Sequence, residues 1–416
     1  MTPSKQHCGG VIAGLASLAG LFVLLVSSTA QAQTYQVIYN FSGCADGYAP
    51  SSTLILGGAG RLYGTAPWGG DGCGHDSSGV VFRLERAGSA WVETPIHTFT
   101  GYDGDEPGQL TVAPDGSFYL PTDGGGEYGL GMVSRLQPPA TACEAALCPW
   151  LASLLYSFGN DGPGGYVPVP FILYSGGNLY GLTLALNGNT EGIVFELTNS
   201  GGTWTENVLY ELGYGGYDFG TYSNSGLIMD SAGNLYGTTF DGGTTGNGSI
   251  FELTPSGSGW TFNTLYSLTY ADGSGPQGSL VMDSAGNLYG NTARGGTGDP
   301  TGGAVFELSP SQGGWTFTGL CSFSGIFGSW SALTLDAAGN LYGTTASDGA
   351  HNEGSVFKVT HNGTGWTCTD LHDFPGQQGD GEVPIGGVTV DASGNLYGTT
   401  SAGGANGAGV VWEITP

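Results

Sequence analysis

The string Gly-Asn-Leu-Tyr-Gly occurs five times, at residues 177–181, 233–237, 286–290, 339–343 and 394–398. Two looser copies precede it, Gly60-Arg-Leu-Tyr-Gly64 and Gly116-Ser-Phe-Tyr-Leu120. The seven tyrosines Tyr63, Tyr119, Tyr180, Tyr236, Tyr289, Tyr342 and Tyr397 follow one another at 56, 61, 56, 53, 53 and 55 residues. A period of that size means one supersecondary unit copied along the chain, each copy burying its apolar face against the next. Whatever the chain folds into is therefore built of seven like units.

Each unit reads as four short strands. In the fifth, Gly278–Asp283 is a hydrophobic strand a, and an Asp-Ser-Ala-Gly-Asn turn leads into strand b at Leu288–Thr292. A Gly-rich loop follows, then strand c at Ala304–Leu308 and the alternating strand d at Trp315–Phe323. Gly and Asn supply the positive φ that the tight turn needs. With 81 Gly and 20 Pro, a helix-rich fold is excluded, while 39% hydrophobic residues suffice for a core. The expected fold is all-β, a seven-bladed β-propeller of four-stranded blades. Tyr35–Phe41 resembles strand d without strands a to c before it, and the chain ends on the strand c Val410–Ile414. The N-terminal strand is therefore expected to complete the last blade, which leaves no open edge.

Residues 1–32 read as a signal peptide. Lys5 precedes an apolar run from Val11 to Val26, followed by Ala30-Gln31-Ala32, and cleavage is placed after Ala32. Residues 33–416 then form a single seven-repeat domain in a secreted or periplasmic protein, with no membrane span after cleavage. Cys8 lies before the apolar run, so a lipid anchor is not indicated.

The unit pattern G-N-L-Y-G-T-T, then G-G, then G-x-V-F-x-L resembles the GloVer (Gloeo/Verruco) tandem-repeat family of secreted bacterial proteins. The resemblance covers residues 34–416 and is closest in units four to seven, where Gly237-Thr-Thr239, Gly343-Thr-Thr345 and Gly398-Thr-Thr400 are intact. Unit two departs, with Pro121 in strand b and Ser134 where Phe is expected, and unit three carries the insertion Pro138–Pro149. The resemblance implies fold and export, and it brings no catalytic signature.

Seven Lys plus Arg stand against 34 Asp plus Glu, a formal charge of −27, which repels nucleic acid. In a propeller the d-to-a and b-to-c loops share one face. These loops hold about half of the acids, among them Asp103, Asp105, Glu106, Asp123, Asp161, Glu191, Asp218, Asp299 and Glu382. They also hold the aromatics Tyr48, Trp68, Tyr102, Tyr166, Tyr214, Tyr217, Tyr222, Phe327 and Trp330. Rings beside carboxylates suit a glycan or a protein partner. The residues singled out for ligand binding are Trp68, Tyr102, Asp103, Asp105 and Trp330.

No cofactor is expected. Calcium on Asp103-Gly-Asp105-Glu106 or Gly379-Asp-Gly-Glu382 is the alternative to plain turn chemistry. The strand-c positions Arg83, Arg135, Glu196, Glu252, Glu307, Lys358 and Glu413 accept either sign, so they read as solvated or locally paired. Asp115, Asp230, Asp283, Asp336 and Asp391 read as turn formers.

Gly72-Cys-Gly-His-Asp76 places thiol, imidazole and carboxylate together, yet Cys44 shares its face, so a Cys44–Cys73 disulfide is the expected use. Cys143 and Cys148 are expected to close a small loop. Cys321 stands in the aromatic slot of strand d (Tyr39, His97, Tyr156, Tyr210, Tyr266, Cys321, His372) and reads as a core substitute, with Cys368 free. The expectation is a monomeric binding or interaction module. The alternatives are a glycan hydrolase or lyase with paired axial carboxylates, and a structural cell-envelope protein.

Overall fold

In six of the seven blades strand c carries one large ring opposite a glycine of strand b, and that pair fixes the blade interior. The computed structural model describes residues 33–139, 150–159, 167–184, 192–212, 225–257, 259–298, 301–325, 328–377 and 379–416. The signal-peptide reading of residues 1–32 and the Cys143–Cys148 reading fall outside these. So do the loop residues Asp161, Tyr166, Glu191, Tyr214, Tyr217, Asp218, Tyr222, Asp299 and Phe327.

Gln33–Pro416 is one unit containing seven antiparallel blades, each of four strands a to d. Blades 1 to 6 span 55–98, 105–157, 168–212, 228–267, 274–322 and 334–373, and the protein is a seven-bladed β-propeller. Blade 7 joins Thr389–Val390, Leu396–Thr400 and Val410–Thr415 to the N-terminal strand Thr34–Asn40. Tyr35 pairs with Ile414 and Asn40 with Val410, so the first strand closes the last blade as expected. Among the described residues no helix is long and apolar enough to cross a membrane.

The closing Gly of Gly-Asn-Leu-Tyr-Gly is a matter of space. Gly343 of strand b pairs with Phe357 of strand c, and a Cβ there would stand 2.5 Å from the ring. Gly64, Gly181, Gly237 and Gly290 face Phe82, Phe195, Phe251 and Phe306 in the same way, and Gly398 faces Trp412. Blade 2 departs at both members at once: Leu120 pairs with Ser134, both buried. The large and small partners have changed places, which conserves interior volume.

The turn between strands a and b is fixed by its acid. Asp283 Oδ1 accepts from the backbone N–H of Ala285 and Asn287, each at 2.9 Å. Its Oδ2 accepts from Asn287 Nδ2 at 2.8 Å and the Tyr289 hydroxyl at 3.1 Å. Burial opposes the charge, but these donors outweigh it and hold the carboxyl below the ordinary carboxylate range. Asp230, Asp336 and Asp391 repeat the arrangement. The strand-c charges are locally paired, Tyr236 donating to Glu252 at 2.9 Å and Tyr397 to Glu413 at 2.9 Å. Glu413 also accepts from Arg86 of blade 1 at 3.0 Å and from Gln36 of the N-terminal strand at 2.6 Å, so one buried carboxylate latches both sides of the closure.

Between blades, the strand-d aromatic slot meets the residue four before the same slot in the next blade. Tyr210 stacks on Phe262 with ring centroids 4.6 Å apart, Tyr266 on Phe317 at 4.9 Å, and His372 on Tyr35 at 3.6 Å. Tyr156 donates to Glu206 at 3.0 Å. Cys321 and Cys368 occupy this joint between blades 5 and 6 and are disulfide-bonded. This corrects the reading of Cys321 as a core substitute and of Cys368 as free: the two share no slot within a blade, but the four-residue offset brings them together across one.

Candidate functional site

The loops that leave strands b and d converge around the propeller axis on one face. Together with the inner ends of strand a they enclose a cavity of about 500 Å³. Its walls carry Tyr48, Trp68 and His75 from blade 1, Glu106, Gln109 and Asp123 from blade 2, Phe171 from blade 3, Gln277 from blade 5, Trp330 from blade 6 and Ser401 from blade 7.

The blade 1 side is an aromatic cluster on a clamped pair of loops. Cys44 and Cys73 are disulfide-bonded, joining the loop before blade 1 to its b-to-c loop. Backbone bonds run alongside, from Gly74 N–H to Gly43 O at 2.9 Å and from Tyr48 N–H to Trp68 O at 2.8 Å. His75 meets the Trp68 ring edge-on with centroids 4.1 Å apart and the Tyr48 ring at 4.8 Å. The thiol–imidazole–carboxylate string of residues 72–76 is thus divided between a clamp and a ring cluster.

The blade 2 side is acidic. Glu106 has φ +50°, in the left-handed region that a non-Gly residue enters only at a cost of about 1 kcal/mol or more. It precedes Pro107, and the same place before a proline is held by Ala49, Gly275 and Val383 in other blades, all at positive φ. The kink is a property of the scaffold, and Glu106 is the member that puts a carboxylate on the cavity wall. Trp68 Nε1 donates to Glu106 Oε1 at 3.3 Å, tying the acid to the ring cluster. Asp123 stands on the cavity wall with its side chain open to solvent. Burial, together with repulsion from Glu106 and Asp105, pushes its carboxyl up to about 7. Asp105 is likewise raised, by burial first and then by Glu106 and Asp71.

Of the residues singled out from the sequence, the cavity collects Trp68 and Trp330, and Asp105 stands behind Glu106. Asp103 is turned away. It accepts from the Thr100 N–H at 2.9 Å and hydroxyl at 2.8 Å, and His97 Nε2 lies 3.1 Å from it. Tyr102 is 91% exposed and lies outside the cavity lining. In the second acidic stretch, Asp380 accepts from Tyr35 and from the Gly381 N–H. Among the described residues no group of three His, Cys, Asp or Glu side chains is placed to hold a metal ion. Glu106 and Asp123 were visible in the sequence as two acids among many. Gln109 and Gln277 were not visible as site residues. Both stand at the inner end of strand a, where Gln109 also bridges to blade 1, accepting from Thr53 N–H at 2.8 Å and donating to Thr53 O at 2.7 Å.

The model of the Gloeobacter/Verrucomicrobia repeat matches residues 149–330 and 298–416. No curated protein matches the chain. Among solved structures it is similar to a candidate gluconolactonase, at 11% identity over 92% of each chain with a TM-score of 0.41. A candidate oxidoreductase (glucose dehydrogenase) from Thermus thermophilus is 14% identical over 92% of this chain and 99% of that one, with a TM-score of 0.42. A puromycin-hydrolysing peptidase from Mycobacterium tuberculosis is 12% identical over 86% of this chain and 50% of that one, with a TM-score of 0.48. These likenesses concern the fold alone.

Proposed function

The chain belongs to the Gloeobacter/Verrucomicrobia repeat family, and from that premise we propose that it is an exported glycan-binding propeller whose ligand enters the axial cavity. The observation that carries this reading is the composition of that cavity: the rings of Tyr48, Trp68 and Trp330 share its walls with Glu106, Asp123, Gln109 and Gln277. Rings offer stacking faces for a sugar, and carboxylates and amides accept or donate to hydroxyls. A concave site of this volume suits a sugar end better than the broad flat contact of a protein partner. Export is supported by the leader read at residues 1–32 and by two disulfides, which persist in oxidising compartments.

A second reading is favoured by a specific observation. A carboxyl pushed up to about 7 beside a second carboxylate is the pairing that acid–base cleavage of a glycosidic bond uses. Asp123 would hold the proton and Glu106 would act as its partner in a glycan hydrolase or lyase.

Calorimetric titration with a panel of neutral and charged oligosaccharides tests the first reading. Trp68→Ala and Trp330→Ala are each expected to weaken the binding ligand about tenfold, the loss of one stacking contact. Undiminished affinity in both variants would overturn it. Release of reducing ends from the same panel, abolished in Asp123→Asn, would move the protein to the enzymatic reading.

A further inference from the structure

The positive charges of residues 33–416 are distributed unevenly along the propeller axis. Arg61 stands at the a-to-b turn, Arg83, Arg86, Arg135 and Lys358 along strand c toward the turn face, and only Arg294 ends a strand on the loop face. Arg294 lies outside the cavity lining, and none of the described lining residues is Lys or Arg. Four of the turn-face cations are already engaged: Arg61 and Arg83 pair with Glu85, Arg86 with Glu413 and Arg135 with Asp115. The cavity carboxylates have carboxylates for neighbours instead. Glu106 and Asp105 both face Asp123, Asp71 acts on Asp105, and His75 is the one imidazole in the described lining. A wall of this kind repels an acidic sugar and concentrates a cation. The rings beside it attract a cation as well, through their π faces.

We propose that the cavity is specific for an amine-bearing saccharide, its ammonium group held between the carboxylates of Glu106 and Asp123 and its ring stacked on Trp68 or Trp330. The proposal rests on the glycan-binding reading above and names the substrate class of that site. An ammonium group arriving beside Asp123 and Glu106 offsets the burial and the repulsion from Glu106 and Asp105 that together hold Asp123 protonated, so the ligand displaces a proton to solvent. Neutral sugars have no such effect, and uronates add to the repulsion.

The test titrates the purified protein at pH 6 with a glucosamine tetramer, an N-acetylglucosamine tetramer and a galacturonate tetramer, in two buffers of different ionisation enthalpy. The glucosamine tetramer is expected to bind about tenfold or more tightly than the N-acetylated one, the effect of a charge-assisted hydrogen bond, and the uronate not at all. Its binding is expected to release about one proton, since the amine is already charged at this pH. Asp123→Asn and Glu106→Gln should each remove the preference for the charged tetramer over the N-acetylated one, with Asp123→Asn also removing the proton release. The comparison among ligands on the unaltered protein stands even where a variant fails to fold. Equal binding of the charged and N-acetylated tetramers, lost in Trp68→Ala, would overturn the amine specificity and leave the glycan reading in place. Binding of none of the three would overturn both.

Discussion

Asp283 and Asp123 are the same residue type at opposite ends of the propeller, and they are held in opposite ways. At the turn end, Asp283 is surrounded by donors, two backbone N–H groups, an amide and a phenol, and its carboxyl lies below the ordinary range. At the mouth, burial and then repulsion from Glu106 and Asp105 push Asp123 up to about 7. The turn aspartate is satisfied by its own blade, and the same pattern returns at Asp230, Asp336 and Asp391. The mouth aspartate is left at odds with its neighbours, an arrangement that folding alone does not favour. In a chain with 34 acids, the distinction between structural and ligand-facing carboxylates lies in whether the fold supplies donors.

That division predicts that changes in the repeated interior move stability and changes at the mouth move binding. The largest effect is expected from Phe357→Ala, which empties the space Gly343 was shaped around and should cost about 3–5 kcal/mol in denaturant unfolding. A cost under about 1 kcal/mol would mean that the Gly–Phe pairing does not specify the interior. Next, Cys321→Ser with Cys368→Ser removes a link closing 47 residues and is expected to cost about 3 kcal/mol with no change in ligand affinity. Ser134→Phe alone overfills blade 2 and should cost about 1–3 kcal/mol, most of it recovered when Leu120→Gly is added. A double variant no more stable than the single would refute the exchange of partners.

The effects of pH differ in sign between the two ends. The folded carboxyl of Asp123 titrates near 7 against 3.8 for the unfolded chain, so the native state holds the extra proton and stability falls as pH rises from about 4 to about 7. The half-buried Glu93 at the joint between blades 7 and 1, pushed up to about 8 by burial and by Asp46, acts in the same direction up to about pH 8. Asp283 works the other way, its contribution being lost as pH drops below 3.8. Melting temperatures at pH 5 and pH 8 should therefore converge in Asp123→Asn with Glu93→Gln and stay apart in Asp283→Asn.

The architecture was legible because a repeated unit announces its own strands: the turn Asp283–Asn287 returns in blades 4, 6 and 7, and a branched residue followed by a large ring, as at Val305 and Phe306, returns in every blade but the second. The closure of blade 7 was legible because Tyr35–Phe41 matched strand d. What was not legible depended on register between blades. Cys321 and Cys368 occupy places four residues apart in the repeat, and only the sideways offset of neighbouring outer strands makes them partners; Phe262 and Phe317, at the same offset place, carried that signal unrecognised. The departures at Leu120 and Ser134 were each visible as exceptions, but that they answer one another required the pairing of strands b and c. At the mouth, Trp68 and Trp330 were legible as large rings in loops. Asp103 was misleading, because an acid two residues from a glycine serves its own turn as readily as a ligand. Glu106 gave no sign in the sequence of the backbone kink that presents it.

The pairing of Thr34–Asn40 with Val410–Thr415 has a consequence in time. A strand made at the start of synthesis has no partner until the end of the chain exists, while blades 1 to 6 have all their strands available in turn. Until the two meet, Glu413 lacks Gln36 and Arg86 has no anchor across the seam. The last blade is thus assembled by the slowest kind of contact, one that spans nearly the whole chain. An interrupted chain would remain an open arc with a waiting strand at one end, the form most exposed to pairing with a neighbour's edge.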